Sequence, residues 1–313
     1  IMVSATDTMI VTGARVTDLF LSVGGDVIGA RCQRPDGAIE AIAARRTILA
    51  CNGYGGNPDL VARHIPEMKD ALYFGHPGNQ GEAILWGEKI GAVPTHMSGY
   101  QGHGSVAHPH GILVTWALMM EGGIQVNLEG RRFSNEHQGY SEQAVAVLAQ
   151  PEQTAFNIFD GRLQQLGRKF EDFRNAEENG AVIVADSPAE LATRIGIDSD
   201  ALEATLNETG LLAESGEPDG FGRQFSADTL LRAPYCAVRV TGALFHTQGG
   251  LLVDDHARVK RADGSVFDSL FACGGAACGV SGPDVSGYLS GTGLLTALAL
   301  GHLAGVCVGR KGG

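Results

Sequence analysis

A short apolar run that stops on Asn-Gly constrains this chain more than any other feature. Arg46-Thr47-Ile48-Leu49-Ala50-Cys51 is closed by Asn52-Gly53. It reads as a strand buried on both faces, of the kind that pairs in parallel sheets. A glycine cluster follows at once, Gly53-Tyr54-Gly55-Gly56, and Gly274-Gly275 closes a second apolar run near the other end. Glycine fills 45 of 313 positions, against an average usage of roughly 7%, and it shows no G-X-Y period. Clusters of this kind suit backbone that approaches a ligand or a packed helix closely.

Around that run the pattern alternates between strand and helix. Ile10-Val11-Thr12, Arg15-Val16-Thr17, Leu19-Phe20-Leu21 and residues 26–30 read as strands, with turns at Gly24-Gly25 and Pro35-Asp36-Gly37. Helices are expected from Pro58 to Ile65 and from Gln80 to Gly91. Residues 112–133 read as strands, with Leu128-Glu129-Gly130 as a hairpin-type turn between residues 122–127 and 131–133. Gln138–Leu148, Ser187–Gly196 and Ser199–Ser215 read as helices, the second capped by Ser187 with Glu190 at the capping-box position. Strands return over 250–273, and Gly291–Val308 is the last helix. The chain exceeds the roughly 250–300 residues that one core serves. The order implies an α/β fold with an inserted domain.

Composition excludes several functions. The net charge is −12 with no basic stripe, so nucleic acid is not an expected partner. No charged segment followed by an apolar run marks a signal peptide. The apolar stretch Gly291–Gly309 contains His302 and reads as a buried helix, not a membrane span. Cys32, Cys51, Cys236, Cys273, Cys278 and Cys307 form no CxxC pair. They read as buried free thiols in a reducing, cytoplasmic compartment, and no metal site is expected.

Four segments carry more than packing: Ile48–Asn57, Glu121–Glu136, Phe245–Asp254 and Leu270–Gly305. With Asp219-Gly220-Phe221-Gly222-Arg223 and Ala233-Pro234-Tyr235, they resemble, in order and spacing, the flavoprotein family of fumarate reductase and succinate dehydrogenase flavoprotein subunits and 3-ketosteroid dehydrogenases. The resemblance implies FAD as cofactor. It also implies a doubly wound, Rossmann-like FAD-binding domain interrupted by an α+β cap. Residues 1–100 and 244–313 would be pieces of the FAD domain, and 101–243 the cap. Such proteins hold the FAD pyrophosphate on a strand–GxGxxG–helix unit. No GxGxxG occurs here, since Gly53-Tyr54-Gly55 and Gly291-Thr292-Gly293 both fail at the third glycine. The chain is therefore expected to be the C-terminal part of a longer flavoprotein, N-terminally truncated, or to work with a separate chain that carries the missing unit.

The same resemblance assigns the chemistry. In the fumarate reductases two histidines and an arginine grip the substrate, and a second arginine delivers a proton through a Glu–Arg relay. The histidines fall at His103 and His246. The proton-donor arginine falls at Tyr140, and the relay at Trp116 and Met119. The other arginine falls near Val285, with no basic residue between Asp268 and His302. A dicarboxylate would thus meet no fixed cation. Tyr288, ahead of Leu289-Ser290-Gly291-Thr292-Gly293, resembles the tyrosine-then-glycines segment of ketosteroid dehydrogenases, with a spacing that differs by one residue. There a phenol and a glycine N–H polarise the ketone. Tyr140 is the candidate phenolic acid/base, and Tyr288, His103 and His246 complete the candidate catalytic set.

For the cofactor, Gly53, Gly274 and Gly275 would lie beside the flavin, Gly275 standing where the family has a carboxylate. Ser290, Gly291, Thr292 and Gly293 would turn the last helix N-terminus toward flavin N1 and C2=O, and Val16 would meet the adenine. Read without the resemblance, His103 belongs to a His- and Gly-rich loop with His108 and His110, and His246 is a strand-end residue. Tyr140 and Tyr288 are then packing residues, and Trp116 and Met119 are core or pocket wall. The expected function is an FAD-dependent oxidoreductase acting on a CH–CH bond next to a carbonyl, with a small apolar carbonyl-bearing substrate. A dicarboxylate reductase and a non-catalytic, partner-binding half are the alternatives.

Overall fold

The structure, a computed structural model, describes residues 8–309. The outer ends of the expected FAD-domain pieces, 1–7 and 310–313, lie outside them. The chain begins with β1 (Arg15–Leu21), β2 (Val27–Gln33), β3 (Ile39–Ala43) and β4 (Thr47–Leu49). Then come α1 (Pro58–His64), β5 (Leu72–Tyr73), α2 (Glu82–Lys89) and β6 (Pro94–Thr95). A long middle stretch holds β7 (Tyr100–Ala107), β8 (Ile112–Leu113), α3 (Ala117–Met120), β9 (Ile124–Val126) and α4 (Tyr140–Leu148). It continues with β10 (Thr154–Asp160), α5 (Gly161–Gly167), α6 (Glu171–Glu178), β11 (Ile183–Ala185), α7 (Pro188–Ile195) and α8 (Ser199–Ser215). The last part is β12 (Tyr235–Thr247), β13 (Gly250–Leu251), β14 (Arg258–Lys260), β15 (Val266–Ala272) and α9 (Thr292–Gly309).

The apolar run at 46–51 is a parallel strand, as its composition predicts. β4 pairs with β15 in register Thr47↔Leu270, Ile48↔Phe271 and Leu49↔Ala272, and β14 lies on the far side of β15. The strands of residues 9–53 and 250–273 meet in this one sheet only through β4. β1, β2 and β3 form an antiparallel sheet of their own, whose Leu19 and Val27 pack on Phe267 and Leu270 of β15. Ile10-Val11-Thr12 is not a strand.

The centre of the molecule is a seven-stranded sheet in the order β8-β7-β12-β10-β9, with β11 and β5 also paired to β12. β12 is its spine, 13 residues long, and it runs unbroken through the expected domain limit at 243/244. β10 is buried along its whole length. α4 covers β7, and the glycines explain how. A Cβ at Gly102 would lie 2.8 Å from the Ala144 Cβ, and one at Gly104 2.8 Å from the Gln143 carbonyl carbon. The Gly-rich segment around His103 is therefore a strand under a close-packed helix and not the expected loop. Glycine there removes side chains from the contact instead of loosening the backbone.

Two further expectations change. Residues 112–133 are not all strand: Ala117–Met120 is helical and residues 131–133 leave the ladder. The Asn127 side chain accepts the Glu129 and Arg131 N–H groups, closing a turn, and the chain then departs to deliver Arg132 to Glu136, 2.6 Å away. α9, expected to be buried, is largely exposed, with Leu294 and Leu298 at 73% and 75%. It is long and apolar enough to cross a membrane by length and composition. The cysteines are free, but only Cys32, Cys236 and Cys273 are buried, and Cys51 is exposed.

Local signals set the helix ends. Ser187 accepts the Glu190 N–H with Pro188 at the first helical position of α7. The Glu190 carboxylate takes the Asp186 N–H, one residue before the capping-box partner. Gly196 and Gly216 end α7 and α8 in the left-handed conformation.

Candidate active site

Three strand ends and one helix start meet at a cleft of about 540 Å³. β4 leads into Ala50 and Asn52, β15 into Cys273, Gly274 and Gly275, and β12 ends in His246 and Thr247 with Gln248 beyond. α9 adds Gly293, Leu294, Thr296 and Ala297. The loops interlock through glycine. A Cβ at Gly275 would lie 2.6 Å from the Gly53 nitrogen and collide with the Asn52 side chain, and one at Gly53 would collide with the Thr247 hydroxyl. That hydroxyl accepts the Tyr54 N–H at 3.2 Å. The missing carboxylate at 275 thus has a steric reason: the strand ends are too close to hold one.

The histidine on β12 faces α9. His246 packs on Gly293, where a Cβ would lie 3.0 Å from its Cε1 and 3.2 Å from its Nε2. The Gln248 amide donates to His246 Nδ1 at 3.3 Å, which leaves the proton on Nε2. Burial pushes the His246 imidazole below its ordinary value.

A cluster of rings continues from it. His246 meets Tyr288 edge-on at 5.8 Å, Tyr288 meets Tyr140 at 6.1 Å, and Tyr140 stacks on His103 at 4.9 Å. The four candidate catalytic side chains, which come from β7, α4, β12 and the segment before α9, form one continuous group. His103 is 6% exposed. Its Nδ1 accepts the Ser105 N–H at 3.1 Å, so its Nε2 also carries the proton. Burial pushes its imidazole down to about 3. The Tyr288 phenol is pushed up by burial and by its hydrogen bond with Tyr140.

Among the described residues that line the cleft, none is Lys or Arg. The arginines nearby in sequence are engaged elsewhere. Arg132 and Arg223 hold the buried Glu136 carboxylate at 2.6 and 2.7 Å, and Arg132 also pairs with Asp219. This network ties residues 132–136 to the Asp219–Arg223 segment.

The candidate cofactor residues divide. Gly274, Gly275 and Gly293 line the cleft and Gly53 lies buried under it. Thr292 is buried behind the helix start, its hydroxyl donating to the Leu289 carbonyl, and neither it nor Ser290 or Gly291 lines the cleft. Val16 lines a second cleft of about 290 Å³ with Leu49, Glu82 and Trp86, and Ala50 borders both clefts. Two clefts that share Ala50 as a wall, one floored by glycines that admit a flat group and edged by Asn52, Gln248 and Thr296, fit a dinucleotide with a flavin at one end. Asn52 and Gln248 were missed at the sequence level. The first stands in an Asn-Gly dipeptide with φ +65°, and the second neighbours a candidate histidine.

Comparison with known proteins gives the family. The FAD binding domain family model matches residues 2–287. A fumarate reductase (cytochrome) of Shewanella frigidimarina is 31% identical over 84% of this chain and 45% of its own length. A 3-oxosteroid 1-dehydrogenase of Mycobacterium tuberculosis is 26% identical over 95% of this chain and 59% of its own. The open conformation of a flavocytochrome c3 fumarate reductase superposes with a TM-score of 0.76 at 28% identity, over 94% of this chain and 51% of that one. The chain spans about half the length of the curated fumarate reductases it matches. It belongs to the FAD binding domain family, and FAD is its cofactor.

Proposed function

We propose that this chain is the flavin- and substrate-facing part of an oxidoreductase acting on a CH–CH bond next to a carbonyl, with a small, apolar, uncharged substrate. In this reading residues 101–243 are a cap over FAD-domain pieces 1–100 and 244–313, and the substrate lies between them. Bound FAD would supply the hydride acceptor for desaturation, or in its reduced form the hydride donor for reduction of the C=C bond. Gly53, Gly274, Gly275 and Gly293 would hold it, with Ser290, Gly291 and Thr292 supporting the helix start and Val16 at the adenine end. His103 and His246 each offer an Nε2–H to the carbonyl oxygen, without net charge. Tyr140 handles the proton on the carbon next to the carbonyl, and Tyr288 holds the Tyr140 phenol in place.

The observation that carries this reading is the single ring cluster of His103, Tyr140, Tyr288 and His246 beside a cleft that, among the described residues, no Lys or Arg lines. A dicarboxylate reductase is the second reading, favoured by the fumarate reductases among the relatives. It asks two neutral imidazoles to bind a dianion, which lacks an electrostatic basis here. Replacing Tyr140 with Phe in the FAD-loaded protein should lower turnover of a cyclic enone or ketone by about 10²–10⁴, the usual worth of a positioned acid or base, with flavin content unchanged. Full activity in Tyr140→Phe would remove the assigned role. Turnover of fumarate in preference to the enone would favour the second reading.

A further inference from the structure

His103 sits in a stack that extends past the candidate catalytic group. Its ring stacks on Tyr140 and also on Phe245, at 5.3 Å and 21°. Phe245 in turn stacks on Phe74, at 4.8 Å and 16°. Trp116 meets the imidazole edge-on at 5.8 Å. Phe245 reaches this position through an irregularity in β12. The register steps from Leu244↔Gly102 directly to His246↔Gln101, so Phe245 is an extra residue with no partner on β7. A bulge of this kind re-aims a side chain that strict alternation would direct elsewhere. It brings Phe245 onto His103 while Leu244 stays in the core below. The neighbouring segment is tied to the same place, since the Phe74 N–H donates to the Leu244 carbonyl at 2.8 Å.

We infer that Phe245, backed by Phe74, is a specificity-determining residue: its ring keeps His103 an uncharged donor of one proton, so the site takes a neutral carbonyl oxygen and discriminates against a carboxylate. The inference rests on the reading that His103 faces the substrate. The physical basis is desolvation. A buried imidazole cannot hold a proton without losing the hydration of its charge, and burial is the cause that lowers this one. The titratable groups that face it are the phenol of Tyr140 on α4 and, beyond it, Tyr288 and His246. Phe245 on β12, Phe74 and Trp116 carry no charge, and Gly102 and Gly104 flank it on β7. Among the described residues, no carboxylate is placed to stabilise an imidazolium. Nδ1 is occupied by the Ser105 N–H, so recognition falls to one N–H and not to a charged pair.

The test is an NMR titration of the full chain with labelled histidine, reading His103 alone. Its signals are identified by their loss in His103→Gln. Wild type should show the Nε2–H tautomer and no titration from about pH 5 to 8, where a solvated histidine titrates near 6.5. Phe245→Ala should bring the midpoint up into that range, Phe245→Tyr should keep the curve flat, and Phe74→Ala should produce a smaller rise. Cyclohex-2-en-1-one should perturb the wild-type His103 signals, and fumarate should not. A wild-type His103 that titrates near 6.5, or an unchanged curve in a folded Phe245→Ala, overturns the inference. If Phe245→Ala does not fold, the wild-type curve and Phe74→Ala decide it in the same way. A response to fumarate without one to the enone overturns the selectivity. Because the titration reads charge and not turnover, a chain that keeps His103 neutral but ignores the enone would refute the substrate reading separately from the charge state.

Discussion

His103 is already neutral at the pH of an ordinary assay, because burial holds its imidazole down to about 3. In the unfolded chain a histidine titrates at about 6.5. Between these values the unfolded chain binds the extra proton, so stability rises with pH in that window and is lost as pH falls through it. Above about 6.5 neither state is protonated there, and the contribution no longer changes with pH. His246, lowered by the same cause, adds to the slope. Urea midpoints measured from about pH 6.5 down to pH 4 should therefore fall more steeply in wild type than in His103→Gln. Equal slopes would mean that the imidazole is solvated. Tyr140 belongs to the same scale: its stacking on His103 was not foreseeable from residue type, only from a positional resemblance to a family arginine.

Among the elements, the contact of α4 with β7 sets the site, because it brings Tyr140 onto His103. Gly102 and Gly104 are equally close points of that contact, each with a Cβ position 2.8 Å from α4. A methyl group there has no space, and overpacking of this kind costs about 1–3 kcal/mol. Gly104→Ala should lower stability by that amount in a denaturant titration and should displace His103 from Tyr140, visible as a change in the His103 NMR signals. An unchanged midpoint would mean that α4 can move away freely. The second element-scale device is the buried triad of Arg132, Glu136 and Arg223. Burial alone would raise the Glu136 carboxyl, but the two guanidiniums prevail and hold it below the usual carboxylate range. Glu136→Gln leaves Arg223 without its paired carboxylate and Arg132 with Asp219 alone, a loss of about 3–5 kcal/mol in comparable buried pairs. A denaturation midpoint within error of wild type would show that the segment 132–136 is held by other contacts.

For the molecule as a whole, the glycine-floored cleft and the cavity at Val16 offer FAD its two ends, but the 313 residues contain no GxGxxG to hold the pyrophosphate between them. The isolated chain should therefore bind FAD weakly, with flavin lost on gel filtration and retained when a GxGxxG-bearing segment is supplied. Tight, stoichiometric FAD on these residues alone would refute that. What was legible in the sequence had short range. The β4 strand and its Asn-Gly stop, the Ser187 cap, the helices α1, α2, α4, α7, α8 and α9 and the glycine clusters all follow from propensity, periodicity and turn chemistry within a few residues. The family could be read because its motifs keep order and spacing along the chain. Long-range contacts decided the rest. His103 looked like loop because glycines around it serve a helix that arrives some forty residues later in sequence. β10 and all but the end of β12 were missed, and β10, buried along its whole length, shows no alternating pattern of its own. Phe245 is aimed by a register irregularity between β12 and β7, and the burial that keeps His103 neutral comes from Tyr140, Phe245 and Trp116, on three different parts of the chain. Residue types supplied imidazoles, phenols and glycines. Only tertiary packing determined which of them meet, and how much water remains between them.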